Sequence, residues 1–284
     1  MESIFLRKNA SKNLKLIFRY ILIAAAIFVS ILPLYWLLLT SFKTVVNIYQ
    51  LNPLLPTRTP IFTNYTELFS SKTTIRAIFN SFVVTIIVTS ISLVIGILAS
   101  YSIYRFKFKG RVAFFISLLI VRVLPPVVMI IPFFLLFKYI KLLDNIMALI
   151  ISYPFMILPL VIWMISGFLS DIPKSIEESA RVDGASLFGV LFKIIIPLIA
   201  PGIAATAIFS IIGCWNEYIL ASILTSSMES QTVPIILSLQ ITMWGTFWGK
   251  ICALAIFMII PMLIFTFFVH KYMARGLTAG AVKE

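Results

Sequence analysis

Six stretches of about twenty or more predominantly apolar residues divide this chain, at about 20–42, 78–101, 112–137, 145–168, 197–223 and 251–270. A helix must run about 20 apolar residues to cross the ~30 Å hydrocarbon core of a bilayer. Each stretch is long enough, so the chain reads as an all-α, polytopic membrane protein with six transmembrane helices. Prolines fall within them, among them Pro33, Pro125, Pro126, Pro132, Pro154, Pro159 and Pro261. Spanning helices kink around proline when neighbours satisfy the freed carbonyls, so these residues do not weaken the reading. Composition excludes the alternatives: 61% of residues are hydrophobic and 12% charged, against about 45–50% and about 25% in soluble domains. So little charge could not cover so much apolar surface in water, which removes the soluble, disordered and disulfide-stapled classes.

The first apolar run follows a basic stretch with Arg7, Lys8, Lys12, Lys15 and Arg19, as a secretory signal would. It is longer than the roughly 7–15 residues of a signal core and continues into Pro33 and Trp36, so it reads as a retained span. The net charge of +13 is scattered between apolar runs rather than gathered on one face, so it reports orientation rather than nucleic-acid binding. With cytoplasmic termini, inside segments hold 15 Lys and Arg against 7 outside, Arg122 lying within a span. The positive-inside rule then predicts a cytoplasmic segment 1–19, a six-span domain 20–273, and a cytoplasmic tail 274–284. Two outer loops are long: 43–77, with Pro53, Pro56 and Pro60, and 224–250, whose piece Val233 to Ile241 is too short to span and reads as interfacial or re-entrant.

Chemistry of the catalytic kind is missing from the sequence. No G-x-x-x-x-G-K-[ST] phosphate loop occurs, and Gly245 to Lys250 has the wrong glycine spacing. Cys214, Cys252 and His270 form no zinc-ligand set. Asp171, Glu177, Glu178 and Asp183 share one cytoplasmic loop with nothing to enclose them as an acid/base pair. The expectation is therefore a chain that is not an enzyme and binds no metal or cofactor.

Two charges lie within apolar runs. Arg122, about ten residues into the third span, should face protein or water rather than lipid, with carbonyls loosened by Pro125 and Pro126 as partners or a solute path beside it. Glu217 lies ~30 Å along the fifth span counted from Pro197, which makes direct pairing with Arg122 doubtful. Gly202, Thr206, Ser210, Gly213 and Glu217 follow one another by three or four residues and share a helix face. Such a stripe either permits close packing or lines a polar path. Arg122, Thr206, Ser210, Asn216 and Glu217 are the path candidates, with Trp215 available to stack on a solute.

The most specific segment is 171–196, a cytoplasmic loop. Ser175 can cap a short helix with Glu177 and Glu178 in its first turn, and Gly184 can end it in a left-handed conformation. About eight residues of helix are not stable alone and must dock on something. This segment resembles the signature loop of inner-membrane permease subunits of binding-protein-dependent ABC importers, E-A-A-x-x-x-G followed after nine residues by I-x-L-P. Glu178, Ser179, Ala180 and Gly184 match the first part, and Ile194, Ile196 and Pro197 the second, with Ser179 standing in place of an alanine and Ile196 in place of a leucine. The strings RVLPP from Arg122, WNEY from Trp215 and RGLTAGAVK from Arg275 are similar to the carbohydrate-importer branch, the maltose-type second permease.

That resemblance implies a type I ABC importer permease fold, a heterodimer with a second permease subunit, and two cytoplasmic ATPase subunits holding ATP and Mg. It also implies an extracytoplasmic solute-binding protein approached by Glu229, Ser230 and Gln231. Glu178, Ser179, Ala180, Asp183 and Gly184 become the ATPase-coupling residues. The implied activity is import of a sugar, an oligosaccharide by the branch, through alternating access in the cytoplasmic membrane. Glycerol phosphate or another polyol is the rival substrate. An ion-coupled secondary transporter with its site at Arg122 and Glu217 is the rival class.

Overall fold

The computed structural model describes residues 2–50, 52–243 and 245–279, with side chains between 15 and 267. Residues 280–284 of the expected cytoplasmic tail and the side chain of His270 lie outside the described residues. In chain order the helices are α1 (Glu2–Ser41), α2 (Val45–Gln50), α3 (Thr63–Ser70), α4 (Lys72–Arg105), α5 (Arg111–Val123), α6 (Ile130–Tyr139), α7 (Ile146–Ser152) and α8 (Pro154–Ser170). They continue with α9 (Lys174–Val182), α10 (Leu187–Val190), α11 (Ile196–Leu198), α12 (Ala200–Trp215), α13 (Ile219–Leu224), α14 (Val233–Ser238) and α15 (Trp248–Ala279). A two-residue antiparallel pair, β1 (Ile241–Thr242) with β2 (Gly245–Thr246), precedes α15.

Among the described residues four helical segments are long and apolar enough to cross a membrane, Lys15–Ser41, Lys72–Arg105, Ile146–Ser170 and Trp248–Phe267. Two bent pairs raise the number to six if each is one span: Arg111–Val123 with Pro126–Tyr139, bent by 100°, and Leu187–Leu198 with Ala200–Trp215, bent by 75°. The sequence suggests a kinked helix in the first pair, at Pro125 and Pro126, and an unbroken helix from Pro197 in the second; the structure bends both, and more sharply than a kink. In the first pair Pro125 and Pro126 remove two consecutive backbone donors, and Leu124 is extended, as a residue before proline prefers to be. In the second pair Pro197 cannot donate to Lys193. The turn upstream of it relaxes into a π segment, Leu191–Ile195, closed by the Ile196 N–H donating to the Leu191 carbonyl. Pro201 repeats the interruption four residues on, and the chain turns at Ile199.

The chain divides into two compact units, Met1–Ser70 with Gln240–Met258, and Ser71–Leu239 with Ile259–Glu284. In the first, the loop after α1 is tied down by polar contacts. The Ser41 and Tyr65 hydroxyls lie 2.7 Å apart, and the Asn64 amide donates to the Ser41 carbonyl at 2.8 Å. Lys43 is buried, which pulls its ammonium pKa down, and its Nζ donates to the Pro53 carbonyl at 3.1 Å. Trp36 meets Trp248 edge to face with ring centroids 6.1 Å apart.

The second unit is built on α4, α8 and α12, which pack against one another. Val84, Val88, Ile97 and Tyr101 of α4 meet Val161, Ile165 and Leu169 of α8 and Cys214 of α12 in one apolar core. Small residues make this approach close. A Cβ on Gly96 would lie 2.3 Å from a Val161 methyl, and one on Gly202 would lie 2.3 Å from the Phe168 ring. The Ser100 hydroxyl bridges the interface, donating to the Ile162 carbonyl at 3.1 Å. Asn80, Ser81, Thr85, Thr89, Ser92 and Ser100 are all buried and follow helical spacing, a stripe on α4 that the apolar reading of this span passed over. Tight packing through small and hydroxylated residues is what holds helices together in lipid, where apolar burial offers no preference.

Candidate functional site

The signature loop folds as the helix α9, nine residues long. Its N-cap is Pro173, which makes no side-chain cap, so the capping box expected from Ser175 does not form. Its C-terminus closes as the sequence requires. Gly184 has φ +88, its N–H donates to the Arg181 carbonyl at 3.1 Å, and the Ala185 N–H donates to the Ala180 carbonyl at 2.9 Å. These paired bonds are a Schellman ending, and the left-handed residue at its centre is one only glycine occupies without strain.

A helix this short needs an anchor, and Glu177 supplies it. Its carboxylate is buried, forms an ion pair with Arg105 Nε at 2.5 Å, and accepts from the Tyr101 hydroxyl at 3.1 Å. Arg105 also donates to the Ile172 carbonyl at 3.1 Å, so the last turn of α4 grips both the entry to α9 and its first turn. Sequence reading had assigned Glu177 to the helix dipole and Arg105 to the orientation count. The pair is 72 residues apart in sequence, and no local pattern announces it. With Glu177 turned inward, Glu178, Ser179, Val182, Asp183 and Gly184 remain exposed and Ala180 is half-buried against the core. Val182 is 87% exposed and Phe188 66%, and Phe188 stacks on Phe192. The loop thus presents charge beside uncovered apolar surface.

The other predicted loop residues, 229–231, lie at the opposite end of α4. The Asn80 amide donates to the carbonyls of Glu229 at 2.7 Å and Gln231 at 2.9 Å, and the Ser81 hydroxyl accepts from the Val233 N–H at 2.9 Å. Helix α14 is buried through Val233, Pro234, Ile235 and Ile236 and packs on α4, which settles the apolar piece after residue 232 as a docked helical turn. Glu229 is exposed and Gln231 half-buried, but Ser230 is 2% exposed, so it is a strut of the loop and offers no contact surface. Its hydroxyl donates to Asp144, which also accepts from the N–H groups of Ser226 and Ser227, each at 2.8 Å. Asp144, at φ +60, closes the arrangement by donating its own N–H to the Leu224 carbonyl at 2.8 Å. Burial alone would raise its carboxyl pKa, but the bonds from Ser227, Ser230 and Ser226 outweigh it and bring the group down to about 2.

Between the ends, Arg122 and Glu217 line one cavity of about 210 Å³ with Tyr153, Met156, Leu160 and Cys214. They form no ion pair among the described residues. The Arg122 guanidinium lies 5.5 Å from the Trp163 ring centre, a cation–π contact in place of the loosened carbonyls the sequence suggested. Glu217 is not on the fifth-span helix, because α12 ends at Trp215. Its carboxylate instead caps α13, accepting from the Leu220 N–H at 2.8 Å and the Ala221 N–H at 3.1 Å. Thr206 and Ser210 are fully buried, and their hydroxyls donate to the Gly202 and Thr206 carbonyls of their own helix. Trp215 is buried edge to face against Phe82 rather than open to a solute, while Asn216 is exposed. A larger cavity of about 660 Å³ lies between α4, α5 and α8 with a mostly apolar lining, Arg111 and Asp171 being its charged members.

Residues 92–278 match the binding-protein-dependent transport system inner membrane components, a stretch that includes both loops and the cavity residues. The chain is 33% identical over 261 residues to the diacetylchitobiose uptake system permease protein DasC of Streptomyces coelicolor, covering 92% of this chain and 95% of that one. It is 31% identical over 284 residues to the trehalose/maltose transport system permease protein MalG of Thermococcus litoralis, covering 98% and 99%. The crystal structure of a bacterial ABC transporter involved in import of the acidic polysaccharide alginate contains a chain of the same fold, with a TM-score of 0.75 at 22% identity over 92% of this chain and 97% of that one. The chain belongs to the family of binding-protein-dependent transport system inner membrane components, the permease subunits of ABC importers.

Proposed function

We propose that this chain is one of two unlike permease subunits of an importer for an oligosaccharide, with both termini in the cytoplasm. Two cytoplasmic ATPase subunits would receive α9, and an extracytoplasmic binding protein would meet the loop around Glu229 and Gln231. Members of the family are transport subunits whose ATP hydrolysis resides in separate subunits, and the chain has no phosphate loop. The observation that carries the reading is the arrangement of α9: one face is fixed on α4 through Glu177, and the other holds Glu178, Ser179, Val182 and Asp183 uncovered. A surface of charge beside bare apolar side chains calls for a protein partner on that side.

Several relatives carry saccharide names, diacetylchitobiose and trehalose/maltose among them, which supports a sugar substrate. The cavity at Arg122 and Glu217, about 210 Å³, falls below the roughly 300–1,000 Å³ of ordinary small-molecule pockets. An oligosaccharide would need a second permease to complete its path, with Arg122, Asn216 and Glu217 as this chain's contribution. Thr206 and Ser210 we assign to packing, since both hydroxyls are engaged within α12 and neither is exposed.

The test is uptake of labelled oligosaccharides into proteoliposomes holding both permeases, the ATPases and loaded binding protein. ATP-dependent uptake of a sugar that the binding protein holds supports the reading. Uptake by this chain alone under an ion gradient would instead establish the secondary transporter. Orientation is read from cysteine labelling at Arg58 and Glu229 from outside and at Lys107 from inside, all three exposed. Labelling of Lys107→Cys from outside inverts the assignment.

A further inference from the structure

We propose that α4 is the member through which the outer loop and the ATPase-facing helix act on one another, with Asn80 and the Arg105–Glu177 pair as its positioning residues. The inference rests on the function proposed above. Three observations carry it. First, α4 is one uninterrupted helix of 34 residues, capped at its start by Ser71, whose hydroxyl accepts from the Thr74 N–H. At 1.5 Å per residue it is about 50 Å long, enough to reach from one side of a bilayer to the other. The third and fifth apolar stretches, by contrast, are bent by 100° and 75° and cannot pass a displacement along a single axis.

Second, each end of α4 is fastened to a predicted contact loop by partners that are buried or nearly so. At its start the Asn80 side chain, 0% exposed, holds the carbonyls on either side of Ser230, and Ser81 holds Val233. At its end Arg105 and Tyr101 hold Glu177, and Arg105 holds the Ile172 carbonyl. Third, the two attachments differ in chemistry in a way that suits different tasks. Neutral amide bonds to backbone follow whatever loop is placed there. A buried ion pair tolerates little separation, because an uncompensated charge away from water is strongly unfavourable. Movement of α4 at Arg105 must therefore carry α9 with it.

The test is a double-mutant cycle in the full reconstituted complex, measuring ATP hydrolysis with and without loaded binding protein. Asn80→Ala removes the two amide bonds of the outer attachment and Glu177→Gln the charge of the inner one. Asn80 and Glu177 act at opposite ends of the helix, so merely structural effects at the two sites would be independent and multiply. The proposal predicts that in each single variant, measured on assembled complex and relative to that complex's own basal rate, stimulation by binding protein falls about tenfold, within the 5–150-fold range of ordinary coupling. It also predicts that the double variant is no worse than the more damaging single one. Multiplying losses overturn the proposal while leaving the function intact; absence of stimulation in the unmodified complex overturns the function itself. Tyr101→Phe, which removes only the 3.1 Å bond to Glu177, replaces Glu177→Gln in the same cycle if that variant fails to assemble, with the same two readings.

Discussion

The signature loop and the last outer loop sit at opposite ends of α4 and are held by different logics. Helix α9 is closed by its own sequence, with Gly184 at φ +88 and two Schellman bonds inside six residues, and then fastened by one buried ion pair. The outer loop has only a short turn of its own, the Ser227 carbonyl accepting from the Ser230 and Gln231 N–H groups, each at 3.2 Å. It is gathered around Asp144, which belongs to a different connection and brings the Ser226 and Ser227 amides and the Ser230 hydroxyl together on one carboxylate oxygen. A loop that must keep one shape against a partner is served by local closure plus a rigid anchor. A loop organised from outside itself is as stable as the contact that organises it, and that contact titrates.

The largest effect should come from breaking the ion pair. Both side chains are close to nine-tenths buried or more, and removing one partner of a buried pair typically costs about 3–5 kcal/mol. Glu177→Ala should expose α9 to proteolysis and lower the thermal midpoint of the detergent-solubilised complex, while protection of the outer loop is unchanged. Equal loosening of both loops would erase the distinction drawn between them.

Asp144→Ala should come next. It removes the acceptor shared by the Ser226 and Ser227 N–H groups and the Ser230 hydroxyl, at about 0.5–1.5 kcal/mol for each bond lost, and should raise proteolysis near Ser226 and Ser227 without touching α9. The same loop should loosen with acid. The Asp144 carboxyl is depressed to about 2 in the folded chain from an ordinary 3.8. Its stabilisation is therefore complete above about pH 4 and lost as pH falls through 2. Hydrogen exchange of the Ser226 and Ser227 amides from pH 5 to 2, corrected for intrinsic rates, checks this. Protection that is flat across the window, or that rises with acid, contradicts it.

Gly184→Val should have a smaller energetic effect with a sharp functional consequence. No atom lies within 4 Å of a Cβ built there, so crowding plays no part and only the backbone conformation is strained. The left-handed penalty is about 1–2 kcal/mol, and larger for a β-branched side chain. Coupled ATP hydrolysis should fall with Gly184→Val and largely survive with Gly184→Asn, since asparagine tolerates that region. Similar losses for both variants would mean that the Schellman geometry is not what the loop requires. Ser210→Leu, at a position with no exposure, should impair assembly and uptake together through overpacking; loss of uptake alone would return Ser210 to the solute path.

Much of this was legible in the sequence, and the limits follow from range. The all-α membrane class came from apolar runs, which a bilayer imposes on every residue of a crossing helix; four of the six runs are single helices long enough to cross among the described residues, and two are bent pairs. The end of α9 was legible because one glycine at one spacing fixes it. The bend at Leu124 and Pro125 was foreshadowed by its prolines, whereas the bend at Ile199 was missed although Pro197 and Pro201 flank it; the angles depend on neighbours. Glu217 was misplaced because α12 stops at Trp215, two residues before a carboxylate that caps the next helix rather than extending the stripe. Arg105 with Glu177, Asn80 with the 229–231 backbone, and Asp144 with Ser226 and Ser227 are pairings across 72, about 150 and about 80 residues. No periodicity connects such positions; packing of α4 brings the first two together, and packing of α13 on α6 and α7 the third.

The central claim is that α9, fixed by Glu177, offers its free face to an ATPase. A single cysteine at Val182, 87% exposed, on a chain with Cys214→Ala and Cys252→Ala, tests it in membrane vesicles prepared with and without the ATPase subunits. The account predicts rapid labelling by a thiol reagent when the ATPases are absent and strong protection when they are present, with cross-linking to the ATPase by a short bifunctional reagent. Equal labelling in the two preparations, with ATPase assembly demonstrated in one of them, would contradict it.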